Sequence, residues 1–299
     1  MHLTANSEAG AKRRDFGPAP SPVAFYLPGQ AGNLFAMYYR PNEAAPEGCD
    51  VIYIHPFAGE MAASRNVIAA VSRHLASAGF GVLTLDLFGC GDSSGDFREA
   101  RWEIWRADIA AAVRWLQEQG RDRVSLFGLR LGALLAMDFA AHSGERYEHI
   151  VLWQPVLNGQ TMLTQFLRMN LDEMGDDPNG TQLTRPEYRR SLLPGQTIEV
   201  AGYELSSELI QAIDKQSLSP LGNALADPIL WMEMGQKTGT SFRPDSLQII
   251  QAWKSCGIRI LIHELNGLPF WFFPHSVSPQ RIAQQVTSLF TNIVQPSGV

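Results

Sequence analysis

The sequence predicts an α/β protein with a mostly parallel, twisted sheet and helices on both of its faces. Apolar runs of strand length alternate with stretches of helical periodicity from residue 50 to residue 153, and the pattern resumes from 228 to 293. Such alternation specifies parallel strands joined by right-handed helical crossovers. The runs Val51-Ile-Tyr-Ile54 and Ile150-Val-Leu-Trp153 are apolar at every position, as expected of strands covered on both faces. Tight glycine-containing turns follow successive strands, at 88–95 and at 128–132.

Taken in order, residues 1–20 are small, polar and proline-containing, and read as a flexible leader. Residues 23–27 and 34–39 are strand-like and flank Pro28-Gly-Gln-Ala-Gly-Asn33, a hairpin signal. A strand at 50–55 ends at Pro56, and a helix follows at 66–78, with Val67, Val71, Leu75 and Ala78 on one face and Gly79 as its stop. The next strand is 81–86, then a helix spans about 102–119. A strand at 124–127 turns through Gly128 and Gly132 into an apolar helix, and a strand follows at 149–153. Regularity then breaks. From 158 to about 226 the chain is mixed and polar in places, with one helix expected at 206–214. A strand at 228–234, a helix at 246–255, a strand at 258–263 and a final helix at 279–293 complete the chain. The expected organisation is one domain over 21–299 with an insertion at about 158–226.

Composition narrows the function classes. A net charge of -6 argues against nucleic-acid binding, and Lys12-Arg13-Arg14 is too short a basic run to alter that. Cys49, Cys90 and Cys256 form no C-x-x-C pair and no disulfide framework, so reduced thiols and a cytoplasmic setting are expected. No apolar run approaches the ~20 residues of a membrane-spanning helix. No P-loop, dinucleotide fingerprint or metal-ligand cluster occurs, so neither a cofactor nor a metal is expected.

The strand-turn-helix Val124-Ser-Leu-Phe-Gly-Leu-Arg-Leu-Gly-Ala133 resembles the nucleophile elbow of the α/β-hydrolase superfamily. Two further motifs agree in order. His55-Pro-Phe-Ala58 stands where that superfamily places its oxyanion loop, and Asp86-Leu-Phe-Gly-Cys-Gly-Asp-Ser-Ser-Gly95 resembles its D-x-x-G-x-G-x-S turn. The resemblance covers about residues 20–295 and implies a lid at the insertion. The wording is also similar to the second of two hydrolase-like families associated with the exosortase A system, which accompanies exopolysaccharide gene clusters in Gram-negative bacteria. The phrases that carry this are His55-Pro-Phe with Glu60-Met61 and Ser64-Arg65, Gly128-Leu-Arg-Leu-Gly-Ala133, Trp153-Gln-Pro-Val156, Gln165-Phe-Leu-Arg168 and Leu268-Pro-Phe-Trp271. This resemblance implies exopolysaccharide-system proteins as partners but no particular reaction.

A serine hydrolase needs a nucleophile at the elbow, a histidine to take its proton and an acid to orient that histidine. The elbow residue here is Arg130, whose guanidinium stays protonated and cannot attack a carbonyl. Thr238 stands where the superfamily's acid is expected, and Glu264-Leu-Asn-Gly-Leu-Pro-Phe270 has no histidine at the matching place. Substitute catalytic groups would be Cys90 or Ser94 as nucleophile, His275 as base, and Asp245 or Glu233 as orienting acid. The plainer readings are a packed turn thiol for Cys90, a surface loop residue for His275 and a structural histidine for His263.

Two roles are open for Arg130. It could satisfy a carboxylate of Asp86, Asp92 or Glu60 as a buried ion pair. Alternatively, with the amides of Leu131 and of the loop holding His55, Phe57 and Ala58, it could receive an anion at a helix N-terminus. Phe57, Phe88, Trp153, Phe166 and Phe270-Trp-Phe-Phe273 would then wall an apolar cavity for an acyl group. Three functions follow as expectations: binding of a small anionic or acyl molecule, ester or thioester hydrolysis with relocated residues, and docking of a partner protein through the insertion.

Overall fold

The computed structural model describes residues 21–43, 49–173, 194–218, 226–235 and 242–294. An antiparallel hairpin, β1 (Val23–Pro28) and β2 (Asn33–Tyr39), opens the sheet. Then come β3 (Asp50–Ile54), α1 (Gly59–Ser77), β4 (Val82–Leu85), α2 (Trp102–Glu118), β5 (Val124–Leu129), α3 (Leu131–Ser143) and β6 (Ile150–Trp153). After the insertion the sheet ends with β9 (Ile229–Gly235), α6 (Pro244–Ser255), β10 (Ile260–Asn266) and α7 (Pro279–Val294). The strand order is β1-β2-β4-β3-β5-β6-β9-β10, antiparallel only at β1-β2 and β2-β4. This is the expected architecture, with β3 and β5 at its centre.

The core divides into two layers, one on each face of the sheet. On one face α2 and α3 bury Trp102, Trp105, Ile109, Leu134 and Met137 against Ile52, Leu126 and Leu152. On the other, α1 and α7 bury Val67, Val71, Leu75, Ile282 and Phe290 against Val51, Phe127 and Val151. Burial of whole aliphatic side chains at roughly 1.5–3 kcal/mol each makes these layers the main stabilising contribution. The odd and even residues of β3 and β6 alternate between the layers, which is why 51–54 and 150–153 read as unbroken apolar runs.

Three local findings differ from expectation. Helix α1 begins at Gly59, seven residues before the expected start, because Met61 and Ser64 continue the buried face that Val67 and Ile68 define. The insertion contains a second helix, α4 (Gly159–Glu173), capped by Asn158, whose Oδ1 accepts the Thr161 amide at 2.9 Å. It also contains a hairpin of β7 (Thr197–Val200) and β8 (Tyr203–Ser206), leading into α5 (Ser207–Asp214). Ala201 and Gly202 close that hairpin with φ of 50° and 79°, the two-residue turn that matches strand twist. Ser206 caps α5 by accepting the Leu209 amide.

Candidate functional site at the strand ends

The turn from β5 into α3 forces two close approaches. A Cβ on Gly128 would strike the backbone of Ala133, and one on Gly132 would strike the carbonyls of Ile54 and His55. Only glycine lets α3 lie this near the end of β3. Between them Arg130 has φ 56° and ψ -116°, a strained conformation for a residue with a side chain. Its amide donates to Trp153 O at 3.0 Å, and its carbonyl accepts from Val156 and Ala133, both at 3.1 Å. Ala58, at the end of neighbouring β3, repeats the geometry with φ 49° and ψ -129° and leads directly into α1. Two helices thus begin side by side, and the first amides of each, that of Leu131 included, have no acceptor within their own helix.

Arg130 makes the ion pair that the sequence left open, and its partner is Glu60 of the first turn of α1. Nε lies 3.2 and 3.3 Å from the two carboxylate oxygens and Nη2 lies 3.1 Å from Oε1. Nη1 donates to no acceptor among the described residues. The side chains are 12% and 18% exposed, so the pair is largely but not wholly withdrawn from water. Burial pushes the Glu60 carboxyl up, while the Arg130 charge and hydrogen bonds oppose that rise. The guanidinium carbon also lies 5.4 Å from the ring of Trp271 and 5.6 Å from that of Phe272, both in the loop after β10. Asp86 is engaged elsewhere, with Arg65 at 2.8 Å and the Asp92 amide at 3.0 Å.

The other expected site residues separate. His55 is buried, with Nδ1 2.7 Å from Pro56 O and Nε2 accepting the Leu87 amide at 3.2 Å. Burial lowers its pKa. Nδ1 is engaged within the loop after β3, and Nε2 ties that loop to the loop after β4, so both ring nitrogens already have partners. Cys90 is buried, and burial followed by the charges of Asp86 and Asp108 pushes its thiol up. A thiol held protonated is a poor nucleophile. His275 and Asp245 are exposed, and neither hydrogen-bonds to the other or to Cys90 among the described residues. Ser94 accepts the Asn33 amide at 3.1 Å and so helps fix the turn. Fully buried Glu233 accepts from Trp231, Ser246 and Arg243, leaving it no histidine to orient. Burial lowers His263, which lies along β10. Thr238 lies outside the described residues.

The aromatic residues also divide. Trp153 and Phe270, 5.1 Å apart, belong to the α1/α7 core layer and do not wall the site. Phe57 does reach the site, where Phe166 of α4 packs on it at 5.1 Å; Phe97, 5.5 Å from Phe57, meets Tyr203 of β8 at 5.1 Å. Phe57 and Phe97 line an apolar pocket with Ala58, Cys90, Trp105, Leu131 and Leu135, which offers only about 10 Å³ to the centre of a water molecule. That is room for one water at most.

A central parallel sheet, an antiparallel hairpin at its start, a strained turn from β5 to α3 between two obligatory glycines and an insertion after β6 together decide the architecture. The chain has the α/β-hydrolase fold. Residues 54–177, from the end of β3 past the elbow and α4, match the family model described as serine aminopeptidase, S33. Among solved structures, the chain is similar to Est1E from Butyrivibrio proteoclasticus, solved with ferulic acid bound. That match has 15% identity and a TM-score of 0.63, and covers 91% of this chain and 98% of the other. The Pyrococcus furiosus esterase Pf2001 matches with 13% identity and a TM-score of 0.58, over 98% and 96% of the two chains. An α/β serine hydrolase homologue from Coxiella burnetii matches with 13% identity and a TM-score of 0.53, over 91% and 97%. No curated protein matches the chain by sequence. Within this α/β-hydrolase fold, the elbow carries a paired cation. Among the described residues, no helix is long and apolar enough to cross a membrane and no metal-binding cluster forms.

Proposed function

We propose that this chain is a binding member of the α/β-hydrolase fold, holding a small anionic or acyl molecule at Arg130. In this reading it serves an exosortase-associated exopolysaccharide system in the cytoplasm, with the insertion as its lid. The observation that carries the reading is the location of the guanidinium. It stands in strained backbone where two helices begin, with Nη1 unused among the described residues and the first turns of α1 and α3 beside it. Helix dipoles and a planar fork of donors favour a carboxylate or phosphate at such a place. The Glu60 pair sets the condition for binding: an incoming anion competes with an internal one.

The competing reading is an ester or thioester hydrolase with relocated catalytic residues, and the esterase names of some structural neighbours favour it. The two readings predict different results. Acetate or inorganic phosphate, with ionic strength matched by chloride, is expected to raise the melting temperature of the native chain and not that of Arg130→Ala. Equal shifts in both proteins would reject binding at Arg130. Hydrolysis of p-nitrophenyl esters is expected to stay at or below the rate of an Arg130→Ser control, whereas turnover above it would support the hydrolase.

A further inference from the structure

We infer that the ligand of this site is an amphipathic carboxylate, whose headgroup takes the place of Glu60 on Arg130 and whose apolar tail runs outward along the loop after β10. The inference rests on the reading of Arg130 as an anion receptor and adds the ligand's shape and its entry by exchange.

The headgroup follows from what Arg130 already holds. Glu60 engages it through Nε and Nη2, the edge-on arrangement a carboxylate adopts with a guanidinium, so the site is built around a carboxylate and is occupied by its own. The rings of Trp271 and Phe272 hold the guanidinium in place for whichever carboxylate is present. The indole N–H of Trp271, although buried, donates to no acceptor among the described residues. A ligand oxygen close to Arg130 would supply the kind of acceptor that this group lacks.

The tail's direction follows from space. Beneath the elbow the pocket bounded by Phe57, Cys90 and Leu131 offers about 10 Å³ to the centre of a water molecule, and an alkyl chain has no room there. On the outer side the loop after β10 exposes Leu268, Phe272 and Phe273 by 36%, 52% and 55%. A cleft at the ends of β9 and β10 offers about 350 Å³, with Leu268, Val277 and Ile282 as its apolar walls and Asn266, Ser278 and Arg281 on its polar side. Phe272 joins the two parts, since its ring reaches the guanidinium and is also half exposed. Apolar side chains left in water beside a charged site are what an apolar tail would cover.

Isothermal titration of the full chain with acetate, butyrate, octanoate, octanol and inorganic phosphate tests this. Octanoate is expected to bind about tenfold more tightly than butyrate, a gain below that of burying every added methylene because the loop covers only one side of the chain. Glu60→Gln, which keeps the shape but removes the competing charge, should tighten every carboxylate. Leu268→Ser, at an exposed position of the outer cleft, should reduce the gain with chain length while leaving acetate unchanged. Phosphate binding that depends on Arg130 without any chain-length gain would overturn this inference and leave the anion receptor standing. Octanol binding as tightly as octanoate, or no tightening in Glu60→Gln, would overturn the exchange of headgroups. No binding of any probe by the native chain or by Glu60→Gln would overturn both readings.

Discussion

Replacing Glu60 by alanine is expected to lower the unfolding free energy by about 3 kcal/mol, because it leaves the Arg130 guanidinium largely buried without its anion. With side chains 12% and 18% exposed, the pair stands nearer to a buried ion pair than to a surface one. A surface pair would contribute less than about 1 kcal/mol. Arg130→Ala should cost a similar amount by stranding the Glu60 carboxylate. The double variant should cost less than the two single losses added together, with a coupling of about 2 kcal/mol in urea unfolding. Strict additivity would show that the two groups do not depend on each other, and the elbow would then need another explanation for its arginine.

Asp108 should give the opposite sign. Its carboxyl lies in α2, fully buried, with Oδ2 accepting the Phe88 amide at 2.8 Å and Oδ1 without a partner among the described residues. Burial raises its pKa from 3.8 to about 6, against the lowering effect of the Phe88 hydrogen bond. The folded state therefore binds the proton more tightly than the unfolded state. Below pH 3.8 both states are protonated and no penalty exists; between 3.8 and about 6 stability falls as pH rises, and above that the loss is complete. A shift of this size corresponds to about 3 kcal/mol. Asp108→Asn, neutral at every pH and still able to accept from Phe88, should stabilise the protein by about that amount at pH 7.5. The gain should shrink toward zero by pH 4. A stabilisation independent of pH would assign it to packing instead of ionisation.

The fold was legible because its causes are local and repeated. Unbroken apolar runs such as 51–54 and 150–153 require cover on both faces, and Gly128 and Gly132 mark a turn where no Cβ fits. The insertion was less legible. Leu163 and Leu167 give α4 a buried face, and Ala201-Gly202 gives the hairpin a turn, but each signal is short and stands among polar residues. The site was legible at Arg130, whose side chain follows from the elbow, and only partly beyond it. Asp86, Asp92 and Glu60 were equal partners by sequence. The choice among them depends on α1 beginning at Gly59, which brings Glu60 into its first turn beside the elbow. The run at 270–273 looked uniform, yet Phe270 enters the core, Trp271 and Phe272 flank the guanidinium, and Phe273 faces water. That division depends on how the chain turns after Pro269, whose carbonyl accepts the amides of Phe272 and Phe273 at 3.0 Å. Tertiary geometry of this kind leaves no periodic trace in a single sequence.

In the proposed function the elbow of this α/β-hydrolase fold presents a charge that receives a carboxylate. A crystal structure grown with octanoate tests it most directly. Carboxylate density is expected on the Arg130 guanidinium, with Glu60 turned away and the alkyl chain along Leu268 and Phe272. Glu60 still paired with Arg130 and no octanoate at the elbow, at a concentration that saturates binding in solution, would contradict it.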